Sequence, residues 1–413
     1  MDIIIGAGIS GLSYANFCGH ENYLIIDKDD SIGGYCKTIK QDGFTWDYSG
    51  HFFHFQNEII KKYLLDGMKD QEILNVVKNT QIYYKGSYID FPFQKNIHQL
   101  PKDEFIDCLY DLFNNKHTKL GTFKEMLYAK FGQSISDKFL VPYNEKIYAC
   151  DLDSLDADAM GRFFPYANKE DIISNFKQAD NNSYNSYFTY PRGGAIEYVK
   201  SLYNRLDPLK ISLNEKLLSV DLKNKIVTTT KRKIQYDRLI SSIPFPNLLE
   251  KCNINFQKEI YSWNKVLVYN LGFNKKGFDV KNHWVYFPEK KFCFYRIGYY
   301  DNIFADDRLS LYVELGFNKD QQVNDDNLDT VLKNLRDAGI IDDHELISHA
   351  KILMDPAYVH INKESDKDKD FRKIKLEQNG VYSIGRYGDW KYCSIEDNII
   401  EAKELSQKIN LND

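Results

Sequence analysis

The chain is poor in the features that staple or anchor a protein. Its seven cysteines, Cys18, Cys36, Cys108, Cys150, Cys252, Cys293 and Cys393, are odd in number and nowhere spaced as C-x-x-C. That argues against a disulfide framework and a zinc site, so no metal is expected, and it fits a reducing compartment. Only 10 prolines fall among 413 residues and no biased repeat occurs, which excludes a fibrous or disordered chain. No apolar run approaches the roughly 18 residues that cross a bilayer. The first such run, residues 3–5, stops at Gly6 without a basic leader, too short for a signal peptide. The expectation is a soluble cytoplasmic protein with no membrane insertion. Excess basic charge is missing too: 54 Lys+Arg face 59 Asp+Glu, whereas a nucleic-acid partner calls for a basic footprint. No nucleic acid is expected.

What the chain has is length and apolar mass. At roughly 150 residues per domain it divides into about two or three domains, large enough to bury about three quarters of the unfolded surface without staples. Its 30 tyrosines and 26 phenylalanines read first as compositional bias, and secondarily as material for polar sites that use ring faces and hydroxyls.

Residues 2–5 read as a buried strand, 6–8 as a tight turn, 10–18 as a helix and 23–26 as a second buried strand, a βαβ opening. Helical spacing marks residues 94–181, for example Phe105, Leu109 and Phe113. Residues 217–222 and 225–230 read as a hairpin, and 239–243 as a strand ending at Pro244. Runs at 266–273, 283–287, 292–297 and 309–317 suggest an antiparallel sheet. A helix is expected over 326–338, a solvated loop over the charge run 363–375, a strand over 381–384 and a closing helix over 394–409.

Within the opening unit, Gly6-x-Gly8-x-x-Gly11 lies between strand and helix. The first glycine permits the turn, the second lets backbone approach a pyrophosphate, and the third lets helix pack on strand. Asp27 ends the second strand, where a carboxylate accepts hydrogen bonds from an adenosine ribose. Together they predict dinucleotide binding. Gly33 and Gly34 follow, a pair able to bring backbone N–H groups beside a diphosphate.

With these residues the chain resembles the FAD family that includes protoporphyrinogen oxidases, amine oxidases and UDP-galactopyranose mutases. The resemblance implies FAD as cofactor and an α/β fold: a Rossmann-type FAD-binding domain with a helical insertion and an antiparallel-sheet substrate domain. The expected division is 1–90 with 191–250 and 376–413 for FAD, 91–190 as the helical part, and 251–375 as the sheet domain.

Other segments resemble the mutases in particular. Asp47-Tyr48-Ser49-Gly50-His51 is similar to their D-x-G-G-H loop beside the isoalloxazine, with Ser49 replacing one glycine, which implies Gly50 at the cofactor and His51 facing the flavin. Residues 385–392, Gly-Arg-Tyr-Gly-Asp-Trp-Lys-Tyr, resemble the G-R-Y-G-x-W-K-Y segment of eukaryotic-type mutases, implying that Arg386 contacts the flavin and Tyr392 reaches the substrate diphosphate. The segments 158–162, 185–194, 284–289 and 294–296 also match in order. They imply Arg162 and Arg296 as diphosphate arginines, Asn185 and Tyr286 in the substrate pocket, and Tyr358 with Tyr392 as paired hydroxyls. Guanidinium forks suit a diphosphate better than lysine does.

Departures leave the sugar open. Ile303 stands where the eukaryotic enzymes have a substrate tyrosine, Gln56 replaces a second histidine with His54 nearby, and 393–396 differ. The implied activity is interconversion of pyranose and furanose forms of UDP-galactose or a relative, without net redox change, in which the reduced flavin supplies N5 as the nucleophile. The implied partners are a nucleotide sugar and an external reductant, NAD(P)H or another; nothing indicates an oligomeric state. The competing classes are an oxidase or dehydrogenase acting on an amine or porphyrinogen, and a non-catalytic flavin or nucleotide sensor. One or both of the segments 170–182 and 299–307 are expected as flaps that exclude water.

Overall fold

Asp2–Ile5 and Tyr23–Ile26 pair in parallel with the helix Ile9–Phe17 between them in the computed structural model, which describes residues 1–181, 186–323 and 327–411. Parallel strands need both faces covered, and Ile3, Ile4, Ile25 and Ile26 are fully buried. The rest of this sheet arrives from distant chain. Arg238–Ser241 pairs with Asp2–Ile5, Val381–Ser383 pairs with Arg238–Ser241, and Ile211–Ser212 lies beyond Tyr23–Ile26, all parallel. The closing helix Ile395–Asn410 packs on Ile9–Phe17. Its N-terminus is a capping box, in which the Ser394 hydroxyl accepts from the Asp397 N–H and the Asp397 carboxylate accepts from the Ser394 N–H.

A second, larger sheet runs Leu346–Met354, Ser262–Phe273, Ser310–Asn318, Arg296–Tyr299 and Trp284–Tyr286, antiparallel throughout. Thr80–Tyr84 joins it in parallel with Trp284–Tyr286, and Ser87–Asp90 follows. The stretch 1–90 thus feeds both sheets. Alternation along Ser262–Phe273 sends Val266 and Val268 into one core and Leu267, Tyr269 and Leu271 into another, shared with Val331 and Leu335 of the helix Asn327–Asp337. The helices Lys102–Phe113, Phe123–Ile135, Val141–Tyr148 and Lys169–Lys177 share a core with Val266 and Val268 of the large sheet, and Val141–Tyr148 packs on the strand Ser310–Asn318. No described helix is long and apolar enough to cross a membrane.

Three expectations are corrected. The charge run 363–375 is a helix, Lys363–Glu377, because Asn362 and Ser365 form a capping box and Arg372 pairs with Asp368 one turn away at 2.6 Å. In Lys102–Phe113 the buried positions are Cys108 and Leu112, while Phe113 is 54% exposed, so the apolar face is rotated from the expected one. Segment 299–307 is no flap. Its helix Tyr300–Phe304 buries Asp301 completely against Lys276 at 2.7 Å, and Ile303 and Phe304 belong to the core.

Candidate functional site

The carboxyl ends of the parallel strands open onto a cavity of about 1000 Å³, bordered there by Gly6, Asp27 and Ser242, the usual ligand position in open α/β sheets. Gly6 turns the chain at φ 109°. A Cβ on Gly11 would fall 2.0 Å from the Gly6 carbonyl oxygen, so only glycine lets the helix approach this closely. The Gly33 N–H donates to the Ala7 carbonyl at 2.9 Å, which brings Gly34 against Gly8. The result is a groove walled by backbone at a helix N-terminus that has no side-chain cap, suited to a pyrophosphate. Asp27 accepts the Ala7 N–H at 2.6 Å and the Asp29 N–H at 2.9 Å. Burial pushes its carboxyl up, and these bonds draw it partly back.

At the opposite end the cavity meets the large sheet. Register places Arg296 across from Glu314. Glu314 is fully buried and accepts Nε of Arg296 at 2.9 Å, Nη2 at 2.8 Å, and the Ser49 hydroxyl. Burial alone would raise the Glu314 carboxyl, but the Arg296 charge and these hydrogen bonds hold it below the usual carboxylate range. The rings of Tyr358 and Tyr392 stack with centroids 5.8 Å apart. Arg386 lies 5.1 and 4.5 Å from those two ring centres, and its Nη1 donates to the Cys393 carbonyl at 3.2 Å.

His51 borders the same space. Its Nδ1 is buried without a partner among the described residues, and burial pushes its pKa down to about 4, so the imidazole is neutral near pH 7. A Cβ on the adjacent Gly50 would fall 2.5 Å from the Tyr312 hydroxyl. The backbone groove, the Asp27 carboxylate and the orphaned His51 nitrogen form a donor and acceptor set that fits FAD from pyrophosphate to isoalloxazine.

Arg162 borders the cavity from the helical side, with Nη2 on Asp397 at 2.5 Å and Nη1 on Gln56 at 3.4 Å. Tyr286 lines the wall beside Tyr143, ring centres 5.0 Å apart, and accepts from Trp284 Nε1 at 2.9 Å. His54 also lines it, its Nδ1 2.9 Å from the Tyr187 carbonyl. The structure therefore brings together Gly6, Gly8, Asp27, Gly33, Gly34, Gly50, His51, Arg162, Tyr286, Arg296, Tyr358, Arg386 and Tyr392 around one cavity, with Gly11 just behind the first turn. Asn185 lies outside the described residues. Ile303 is packed in the core and does not line the cavity, and Gln56 does not line it either but contacts two residues that do, Arg162 through its Oε1 and Glu396 through its N–H.

Sequence reasoning missed Glu314 and Asn144. An acid inside the apolar run Ser310–Asn318 demands a partner, and that was its signal. Asn144 is 3% exposed and lines the cavity with an Oδ1 that has no partner among the described residues, while its Nδ2 donates to the Leu140 carbonyl at 2.6 Å.

Comparison with known proteins gives this geometry a family. A chloroplastic protoporphyrinogen oxidase of Nicotiana tabacum is 30% identical over 74 residues, which span 17% of this chain and only 14% of that relative's length. The crystal structure of a reduced UDP-galactopyranose mutase superposes with a TM-score of 0.91 at 23% identity, over 100% of this chain and 94% of that one. A protein of Exiguobacterium sp. 255-15 assigned as a protoporphyrinogen oxidase superposes at 0.77 and 15% identity, over 100% and 99%. Likeness at such identities speaks for the fold. Residues 10–275, more than half of the chain, match the model of the flavin containing amine oxidoreductases. The chain belongs to the flavin containing amine oxidoreductase family and is an FAD-dependent enzyme.

Proposed function

We propose that this enzyme is a nucleotide-sugar mutase that works with reduced FAD and interconverts the pyranose and furanose forms of UDP-galactose or a related nucleotide sugar. The observation that carries this reading is the Arg296 guanidinium, held from behind by buried Glu314 and bordering a cavity walled by Tyr286, Tyr358 and Tyr392. A buried cation among neutral phenols suits a diphosphate, which carries about two negative charges that a guanidinium fork binds bidentately. Similarity to the mutase fold supports the same reading.

In this reading the glycine groove and Asp27 hold FAD, assisted by Gly50, His51 and Arg386, and the reduced cofactor supplies the nucleophile for the anomeric carbon. Arg296 and Arg162 bind the diphosphate, stabilise it as leaving group and retain it for return, which is electrostatic and positional work. Tyr358 and Tyr392 add donors without charge. Neutral His51 orients the isoalloxazine, Tyr286 and Asn185 shape the sugar pocket, and Asn144 offers an acceptor to a ribose or sugar hydroxyl. The segments 1–90, 191–250 and 376–413 serve FAD, except that Thr80–Tyr84 and Ser87–Asp90 belong to the large sheet, while 91–190 and 251–375 serve the substrate. The flavin is kept reduced by an external donor, NAD(P)H or another.

The family match favours one alternative, an oxidoreductase of the amine oxidase or protoporphyrinogen oxidase type. The two are separated by incubating dithionite-reduced protein with UDP-galactose under anaerobic conditions and resolving the products chromatographically. A furanose product supports the mutase. Oxygen consumption driven by an amine or porphyrinogen, with no furanose product, supports the oxidoreductase.

A further inference from the structure

Ser49 occupies a position where the mutase loop it resembles has glycine, and its side chain is engaged. It is 7% exposed, borders the cavity, and donates its hydroxyl to Oε1 of Glu314. The same oxygen accepts Nη2 of Arg296 at 2.8 Å, and Oε2 accepts Nε at 2.9 Å. Glu314 is fully buried, so no described contact with solvent completes its shell. Aromatic neighbours contact the guanidinium only at the outer limit of cation–π range, the rings of Tyr295 and Tyr312 both being centred 5.9 Å away. Orientation of Arg296 is therefore tied to orientation of the Glu314 carboxylate, which Nη2 also meets at 2.6 Å through Oε2, and Ser49 supplies that carboxylate with a donor from outside the pair.

The loop that carries Ser49 is itself rigid. Asp47 accepts the Thr38 hydroxyl at 2.6 Å, the Tyr190 hydroxyl at 2.6 Å and the Ala195 N–H at 3.0 Å. The Asp47 N–H donates to the Tyr300 hydroxyl at 3.0 Å, and Asn270 Nδ2 donates to the Asp47 carbonyl at 2.8 Å. Two residues after Ser49 comes His51, whose N–H returns to the Ser49 carbonyl at 2.7 Å.

We propose that Ser49 is a positioning residue: through Glu314 it locks Arg296 in the orientation that faces the cavity, and it makes the His51 loop and that arginine one rigid unit. A glycine at 49 leaves the carboxylate one donor short. The functional consequence rests on the reading of Arg296 as a diphosphate ligand; the orientation itself does not.

The test uses the FAD-loaded protein and the variants Ser49→Ala, Ser49→Gly and Arg296→Lys, singly and with Ser49→Ala and Arg296→Lys combined. Binding of UDP is read from the flavin absorbance spectrum. Both Ser49 variants are expected to weaken UDP about tenfold with FAD content unchanged, the scale of one hydrogen bond to a charged group. In the Arg296→Lys background, where a point charge has no fork to orient, Ser49→Ala is expected to change the dissociation constant less than about twofold. Unchanged UDP binding in Ser49→Ala, or an equal loss in both backgrounds, overturns the proposal. Absence of UDP binding by the unsubstituted protein defeats the nucleotide-sugar reading instead. The Ser49 role is then decided by the crystal structure of Ser49→Ala: a displaced or multiple-rotamer Glu314–Arg296 pair upholds it, and an unmoved pair overturns it.

Discussion

Arg296 stands directly across the antiparallel ladder from Glu314, and its Nε and Nη2 engage both carboxylate oxygens, Nε at 2.9 Å and Nη2 at 2.8 and 2.6 Å. A buried carboxylate is costly unless paired. The pair therefore does structural and chemical work at once, offering a cation to the cavity while satisfying an acid in the core.

Arg296→Ala is expected to lose at least ~100-fold in kcat/KM, corresponding to about 3 kcal/mol of a charge-assisted contact. It also strands Glu314, at a stability cost of about 3–5 kcal/mol. Arg296→Lys separates the two effects, keeping most of the stability while losing bidentate binding. Near-normal turnover in the alanine variant rules out the assigned role.

Acid destabilises the protein. Burial pushes His51, His54, His283 and His360 down to about 4, whereas an unfolded chain holds histidine near about 6.5. Between those values the unfolded state binds more protons, so stability is lost as pH falls. Asp47, raised to about 6 by burial, opposes this by gaining stability in acid. Asp27, Asp301 and Glu401 are raised by burial as well and oppose the loss too, but by less, so the four histidines, each worth at most about 1.4 kcal/mol per pH unit, set the direction. Urea midpoints are expected to decline from about pH 6.5 to about pH 4.5; a flat or rising profile contradicts neutral, buried histidines.

The dinucleotide groove carries its own prediction. Asp27→Ala removes the acceptor for the Ala7 N–H at 2.6 Å and the expected ribose acceptor together. FAD affinity is expected to fall about 10- to 100-fold, the scale of one or two such bonds. The ratio of flavin to protein absorbance after purification measures it, and full retention of FAD contradicts the assignment.

Much of this was legible in the chain. Gly6, Gly8, Gly11 and Asp27 announce the groove because their constraints are local: a turn, a close approach and a strand end. Other features depend on contacts between distant residues. Glu314 matters because strand register sets it against Arg296, and register is a tertiary fact. The helix Lys363–Glu377 was hidden because its buried positions are few, Ser365 and Leu376, and its stability comes from a cap and ion pairs. Ile303 stands where the eukaryotic mutases have a substrate tyrosine, yet the short helix Tyr300–Phe304 turns it into the core.

Asp397 engages the cavity-lining Arg162 at 2.5 Å, so an anionic ligand of Arg162 must compete with it. Asp397→Asn keeps an acceptor for the Ser394 N–H and so preserves the helix cap. Because the pair is partly exposed, stability is expected to change by less than about 1 kcal/mol. UDP is expected to bind severalfold more tightly, measured by calorimetry on the FAD-loaded protein. Weaker binding would mean that Asp397 orients Arg162 for its ligand.

The most direct test compares oxidised and dithionite-reduced protein, both anaerobic, each supplied with UDP-galactopyranose and separately with UDP-galactofuranose. The reduced protein is expected to bring both starting materials to the same product mixture, the oxidised protein to leave them unchanged, and reduced Arg296→Ala to convert them at least ~100-fold more slowly. Recovery of both sugars unchanged from reduced, FAD-loaded protein that binds UDP would contradict action on UDP-galactose and send the search to other nucleotide sugars. No UDP binding and no conversion would put the oxidoreductase reading first.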